Sequence, residues 1–186
     1  MLPLNVPFLP EASYICFLNN LGPRLHAVHF SLHDPVLWDA RVRLEQPSLQ
    51  TIIDLLAHLP GPKKYLLANG RFQPTGTYTG PVGLSVLIER LQRLLDTGVL
   101  DGLIFADSYL LAALGDAAPA IVSRLEAIPS VNFSIDNIGK MKVLMDCNYS
   151  ASKVEVVFAM KAGHVPRNSD RNASDAVRPC FRQVVR

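Results

Sequence analysis

From Pro47 onward the hydrophobic period of this chain switches back and forth, and that rhythm limits its fold more than any single motif does. Leu49, Ile52, Ile53, Leu56 and Leu59 recur at the three- and four-residue spacing of an amphipathic helix. Pro47 and Ser48 suit its start, and Pro60-Gly61-Pro62 its end. "KKYLLA", Lys63 to Ala68, then reads as a strand closed by Asn69-Gly70. After a loop containing Pro74, Gly76, Gly80 and Pro81, a second stripe runs through Leu84, Leu87, Ile88, Leu91, Leu94 and Leu95, with Gly98 as its C-terminal cap. "DGLIFAD", Asp101 to Asp107, is apolar across Leu103 to Ala106, as a parallel strand buried on both faces would be. Ser108 to Leu114 and Ala120 to Glu126 read as helical pieces broken at Gly115 and Pro119. "SVNFSI", Ser130 to Ile135, reads as a fifth strand, and Ile138, Met141, Leu144 and Met145 mark one side of a fifth helix. Upstream, Leu2 to Phe8 reads as a short strand that Pro3 and Pro7 confine to an edge. Ala12 to Leu21 is helical up to Gly22-Pro23, and "AVHFSL", Ala27 to Leu32, is the second strand.

Successive βα units with short connections imply parallel strands joined by right-handed crossovers, hence a doubly wound sheet or part of a (β/α)8 barrel. A complete barrel takes about 250 residues, and this chain has 186. The expected fold is therefore α/β, with about five βα units of a partial TIM-type barrel in residues 1–146. Residues 147–186 read as an irregular basic tail containing one possible strand, "KVEVVFAM". The texture change after Asp146 suggests a longer barrel gene interrupted or shifted in frame near Cys147, leaving a truncated product. From Lys161 the tail carries Arg167, Arg171, Arg178, Arg182 and Arg186 against Asp170 and Asp175, while the whole chain is only +2. Phe181 is the tail's one aromatic beyond Lys161, so a solvated tail is expected rather than a nucleic-acid contact.

A 49% hydrophobic, 18% charged composition is that of a globular protein. Cys16, Cys147 and Cys180 form no C-x-x-C pair, and three cysteines cannot supply a four-thiolate iron–sulfur site. His26, His29, His58 and His164 have no metal-ligand spacing, so neither metal nor cofactor is expected. "MLPLNVPFLP" lacks a basic n-region, and no apolar run approaches the roughly 20 residues of a membrane helix. A cytoplasmic protein without a membrane partner is the expectation.

In parallel α/β folds ligands collect beyond the carboxyl ends of the strands. The junctions there offer Ser31, His33 and Asp34, then Asn69 and Arg71, then Asp107, Ser108 and Tyr109, then Asp136 and Asn137. Asn132 and Ser134 alternate with apolar neighbours on the fifth strand. His33, Asn69, Asp107, Asn132 and Asp136 are the substrate-binding candidates, with no catalytic residue assigned. Each also has a structural reading: Asp107 and Asp136 as helix caps, His33 as a loop histidine rather than a base beside Asp34, and Asn69-Gly70 as a tight turn. Asn132 either points into a polar cavity or pairs with a neighbouring strand end, because a buried amide without a partner is costly. Ser108 in "ADSYL" lacks the glycines of a G-x-S-x-G elbow, and "GPVGLS" fits no phosphate-binding loop. Trp38 reads as a packing residue.

At "KKYLLANG", "LIERLQRLLDTGVLDGLIFADSYLLAAL" and "IPSVNFSIDNIGKMKVLMD" the chain resembles the collagenase-like peptidase family U32, over roughly Leu2 to Asp146. The resemblance implies a TIM-type barrel and a peptidase-like hydrolase acting on a peptide or another small polar substrate. Some relatives look instead like hydroxylation factors with clustered cysteines, which this chain lacks. Asn69, Asp107, Asn132 and Asp136 carry over as cavity-lining positions without assigned chemical steps. The alternative is a non-catalytic binding or assembly module that self-associates through an exposed sheet edge.

Overall fold

The structure, a computed structural model, describes residues 2–32, 37, 39, 47–70, 73–79 and 81–133. The expected fifth helix and the basic tail, including the boundary at residue 146, lie outside the described residues. Five strands, β1 (Leu4–Pro7), β2 (Leu25–Phe30), β3 (Lys63–Ala68), β4 (Gly102–Phe105) and β5 (Glu126–Pro129), form one parallel sheet. They are hydrogen-bonded in the order β1-β2-β3-β4-β5. A doubly wound sheet reverses strand order at a switch point, whereas this order advances without reversal, as consecutive strands of a barrel do. The fold is α/β and consistent with a partial barrel.

The helices among the described residues are α1 (Ala12–Asn20), α2 (Leu49–Ala57), α3 (Thr75–Thr79), α4 (Pro81–Asp96), α5 (Ser108–Ala117) and α6 (Pro119–Val122). Ser48 caps α2, its hydroxyl accepting from the Thr51 N–H at 3.1 Å. At the end of α4, Gly98 takes φ 70°, its N–H donates to Leu95 O, and the Val99 N–H reaches back to Leu94 O. This is a Schellman turn, and it hands the chain to β4.

Period 2 in the strands sorts the sheet into two faces. Val28, Phe30, Leu66, Leu103, Phe105 and Ala127 join the helix stripes in one core with Leu18, Ile52, Leu56, Leu87, Leu91, Leu94, Leu110 and Leu114. Each fully buried leucine contributes about 1.5–3 kcal/mol of transfer free energy. The opposite face carries a small cluster of Ala27, Tyr65 and Ile128 with Ile104 against it.

Three expectations need correction. The fifth strand is Glu126–Pro129, and Val131–Phe133 is a 3-10 turn. Ser130 bends the chain there, because its hydroxyl accepts from the Asn132 N–H and its carbonyl from the Phe133 N–H. Pro129 can end a strand because Glu126 and Ser130 direct their N–H groups to β4, leaving the alternate residue Pro129 facing away from the ladder. Second, α5 runs through Gly115 to Ala117, and Glu126 belongs to a strand rather than to a helix. Third, β2 starts at Leu25, two residues before Ala27, and ends at Phe30.

Candidate functional site

The carboxyl ends of β3, β4 and β5 are tied together by side chains from the loops that follow them. After β3, the short helix α3 lies close against α4 at Gly83, where a Cβ would fall 2.8 Å from the Thr77 Cα. That approach buries Thr77 and Gln73 and carries Tyr78 toward β4. The Tyr78 hydroxyl donates a hydrogen bond to Asp107 Oδ2, while Asp107 Oδ1 accepts from the Tyr109 N–H at 2.9 Å. Asp107 is therefore both the cap of α5 and the partner of a phenol from the preceding loop. Burial, first, and the bond to Asp107 push the Tyr78 phenol up from its ordinary value of 10.0, so it stays a protonated donor at neutral pH.

Asn132, on the turn after β5, reaches past β4 and donates from Nδ2 to the Asn69 carbonyl at 3.3 Å. Of the two readings of Asn132, pairing with another strand end is the one the geometry realises. Ser31, at the end of β2, and Ser130, at the end of β5, are buried beside their strands. Asn69, Asp107 and Asn132 thus fall on one rim. His33 and Asp136, with Asp34, Arg71 and Asn137, lie outside the described residues. Sequence reasoning misses Tyr78, Gln73 and Thr77, although "QPTGTYT", a few residues after a buried strand, is an unusually polar segment to find packed.

Chemically, the rim offers amides, hydroxyls and one carboxylate. A carboxylate has about four lone-pair sites, and among the described residues Asp107 uses two, on Tyr78 and Tyr109. It retains capacity for a ligand N–H. Among the described residues, no group of three or more His, Cys, Asp or Glu is placed to hold a metal ion, and no helix is long and apolar enough to cross a membrane.

The opposite end of the sheet carries a second polar cluster. Lys63 Nζ bridges Glu126 at 2.8 Å and Asp101 at 3.2 Å, Tyr65 donates to Glu126 Oε2 at 2.8 Å, and the Lys64 N–H donates to Asp101 Oδ2 at 2.8 Å. A groove of about 500 Å3 opens beside it, lined by residues including Leu18, Gly22, His26, Pro60, Gly61 and Lys63. In barrels, the amino end of the strands serves stability and the carboxyl end serves chemistry, so the rim rather than the groove is the candidate site.

The two lysines respond to alkali with opposite signs. The bond to Glu126, offset in part by burial and reinforced by Asp101, raises Lys63 above 10.5, whereas desolvation lowers Lys64 below 10.5. The contribution of Lys63 is fully present below its unfolded value and is lost as pH rises through its higher folded value. The desolvation penalty of Lys64 is instead relieved as pH climbs through its lowered value toward 10.5. In urea titrations between neutral and strongly alkaline pH, Lys63→Met is expected to flatten the alkaline loss of stability. Lys64→Met is expected to remove a gain that precedes it.

No family model and no curated protein matches the chain. Among solved structures it superimposes on the U32 peptidase Mk0906 with a TM-score of 0.57, over 79% of this chain and 56% of that one. The chain has a U32-like fold. At 16% identity the likeness is one of fold, and this chain spans little more than half the length of the neighbour it matches.

Proposed function

We propose that the rim formed by Asn69, Tyr78, Asp107 and Asn132 binds a peptide or another small polar substrate, in a peptidase-like protein. The observation that carries this reading is the Tyr78–Asp107 pair. It sets at the carboxyl end of β4, where parallel folds bind ligands, a carboxylate that keeps acceptor capacity among the described residues. The U32-like fold supports the same reading, since the neighbour is itself described as a peptidase. His33 and Asp136 are proposed members of the rim on strand-end position alone. The alternative is a binding module without turnover. It is favoured by Ser108, a half-buried hydroxyl beside Asp107 at the start of α5, to which no base is hydrogen-bonded among the described residues.

The test is to incubate the full chain with fluorescein-labelled gelatin and a mixed-peptide library, and to follow the amide resonances of residues 69, 107 and 132 in parallel. Cleavage that falls in Asp107→Asn supports the peptidase reading. Resonance shifts without cleavage support the binding module. Neither cleavage nor shifts would sink both.

A further inference from the structure

We infer that the outer edge of β1 is closed against strand addition by Pro7 and Tyr14, so that copies of this chain do not associate by pairing β1 edges. In a parallel ladder the N–H and C=O of one residue point to one neighbour, and those of the next residue point to the other side. The Phe8 N–H donates to the His29 carbonyl at 2.9 Å. Phe8 and Val6 therefore face β2, and Pro7 and Asn5 face outward.

The outward groups of Pro7 are both out of use. Proline has no N–H to donate, and its carbonyl already accepts from the Tyr14 hydroxyl at 3.0 Å. The phenol stands where the N–H of an added strand would come. Tyr14 is held there from α1, stacked on Phe17 with ring centroids 5.9 Å apart and planes 28° apart. Pro3, immediately before the strand, has no N–H to offer either. Asn5 is left as the one outward-facing donor of β1.

Among the described residues no strand lies outside β1, and such an edge next to exposed Leu2, Leu9 and Phe17 would otherwise be a template for pairing with another chain. A proline on the edge is one of the ways native sheets blunt that hazard. The far strand uses the same residue type, since Pro129 is the outward-facing end of β5. What distinguishes β1 is the second element, a side chain from a helix that occupies the acceptor the proline leaves.

Native-state hydrogen exchange on the full chain, at low and high protein concentration, tests this without any substitution. The Asn5 amide should exchange at least ~100-fold faster than those of Val6 and Phe8, and at the same rate at both concentrations. Protection of Asn5 comparable to Val6 would overturn the inference. A second measurement uses the double variant Pro7→Val/Tyr14→Phe, which restores the donor, frees the acceptor and keeps the aromatic stack. Its mass by light scattering should rise with concentration in a way the parent's does not. A folded double variant whose mass matches the parent at every concentration would overturn the assignment of these two residues, and if that variant does not fold, the exchange result on the parent decides.

Discussion

Gly102→Ala is expected to destabilise the protein by about 3 kcal/mol, near the upper end of what overpacking costs. The added methyl would sit 2.8 Å from the Glu126 Cβ and 2.9 Å from its carbonyl carbon, both belonging to the paired strand rather than to a flexible side-chain tip. β4 and β5 must part to admit it. Parting them also strains the bonds from Lys63 and Tyr65 to Glu126, so loss of packing and loss of the polar cluster arrive together. Gly115→Ala is the matched control. It lies within α5, and nothing lies within 4 Å of where its Cβ would go. Replacing a mid-helix glycine by alanine should stabilise by about 0.5–1 kcal/mol. Urea denaturation of the two variants should give shifts of opposite sign; equal signs would mean that β4 and β5 leave room for a methyl group at Gly102.

Asp107→Ala is the second large expectation, with a cost of about 2–3 kcal/mol from two separable causes. Loss of the cap on α5 accounts for about 1 kcal/mol. Loss of a hydrogen bond to a charged acceptor, which leaves the half-buried Tyr78 hydroxyl unpaired, accounts for about 1.5–3 kcal/mol before the loop relaxes. Tyr78→Phe removes only the second, and Asp107→Asn keeps a single acceptor oxygen for the two donors that Asp107 serves. A double-mutant cycle between Asp107→Ala and Tyr78→Phe should therefore show coupling of about 1 kcal/mol or more, while the cap contribution remains additive. Coupling near zero would mean that the phenol and the carboxylate do not act as a pair. The proposal that the rim binds substrate would then lose its anchor.

Helices and strands held by one continuous periodic stripe are legible in the amino-acid pattern. Ile52, Ile53 and Leu56 on α2, and Leu87, Leu91 and Leu94 on α4, are buried as their spacing demands. Lys63–Ala68 is a strand over the bounds its composition suggests. The misread elements are those where a local signal and the ladder disagree. "SVNFSI" alternates like a strand, yet the Ser130 hydroxyl captures the next turn's N–H and curls it. "EAIP" lacks a strand's pattern, yet its N–H groups fit the edge of β4. Gly115 has the look of a stop, but Leu111 and Leu114 in the turn leading to it pack into the core, and packing outweighs the roughly 1 kcal/mol propensity cost.

The candidate site divides in the same way. Asp107 is visible as a helix cap and Asn132 as a polar residue in an apolar setting, because both readings need only a few neighbouring residues. Tyr78 is invisible as Asp107's partner, since the two are 29 positions apart and meet only through the packing of α3 on α4. Lys63, Asp101 and Glu126 are likewise ordinary surface charges in sequence. Parallel pairing of three strand starts makes them a cluster. By itself the sequence determined the βα alternation and the parallel class, because hydrophobic periodicity is a local property and crossover handedness follows from chain chirality. Tertiary structure alone decided which strand ends meet and which polar groups find partners across 29 to 63 residues. Those contacts depend on where the sheet places distant segments, and no local pattern encodes that placement.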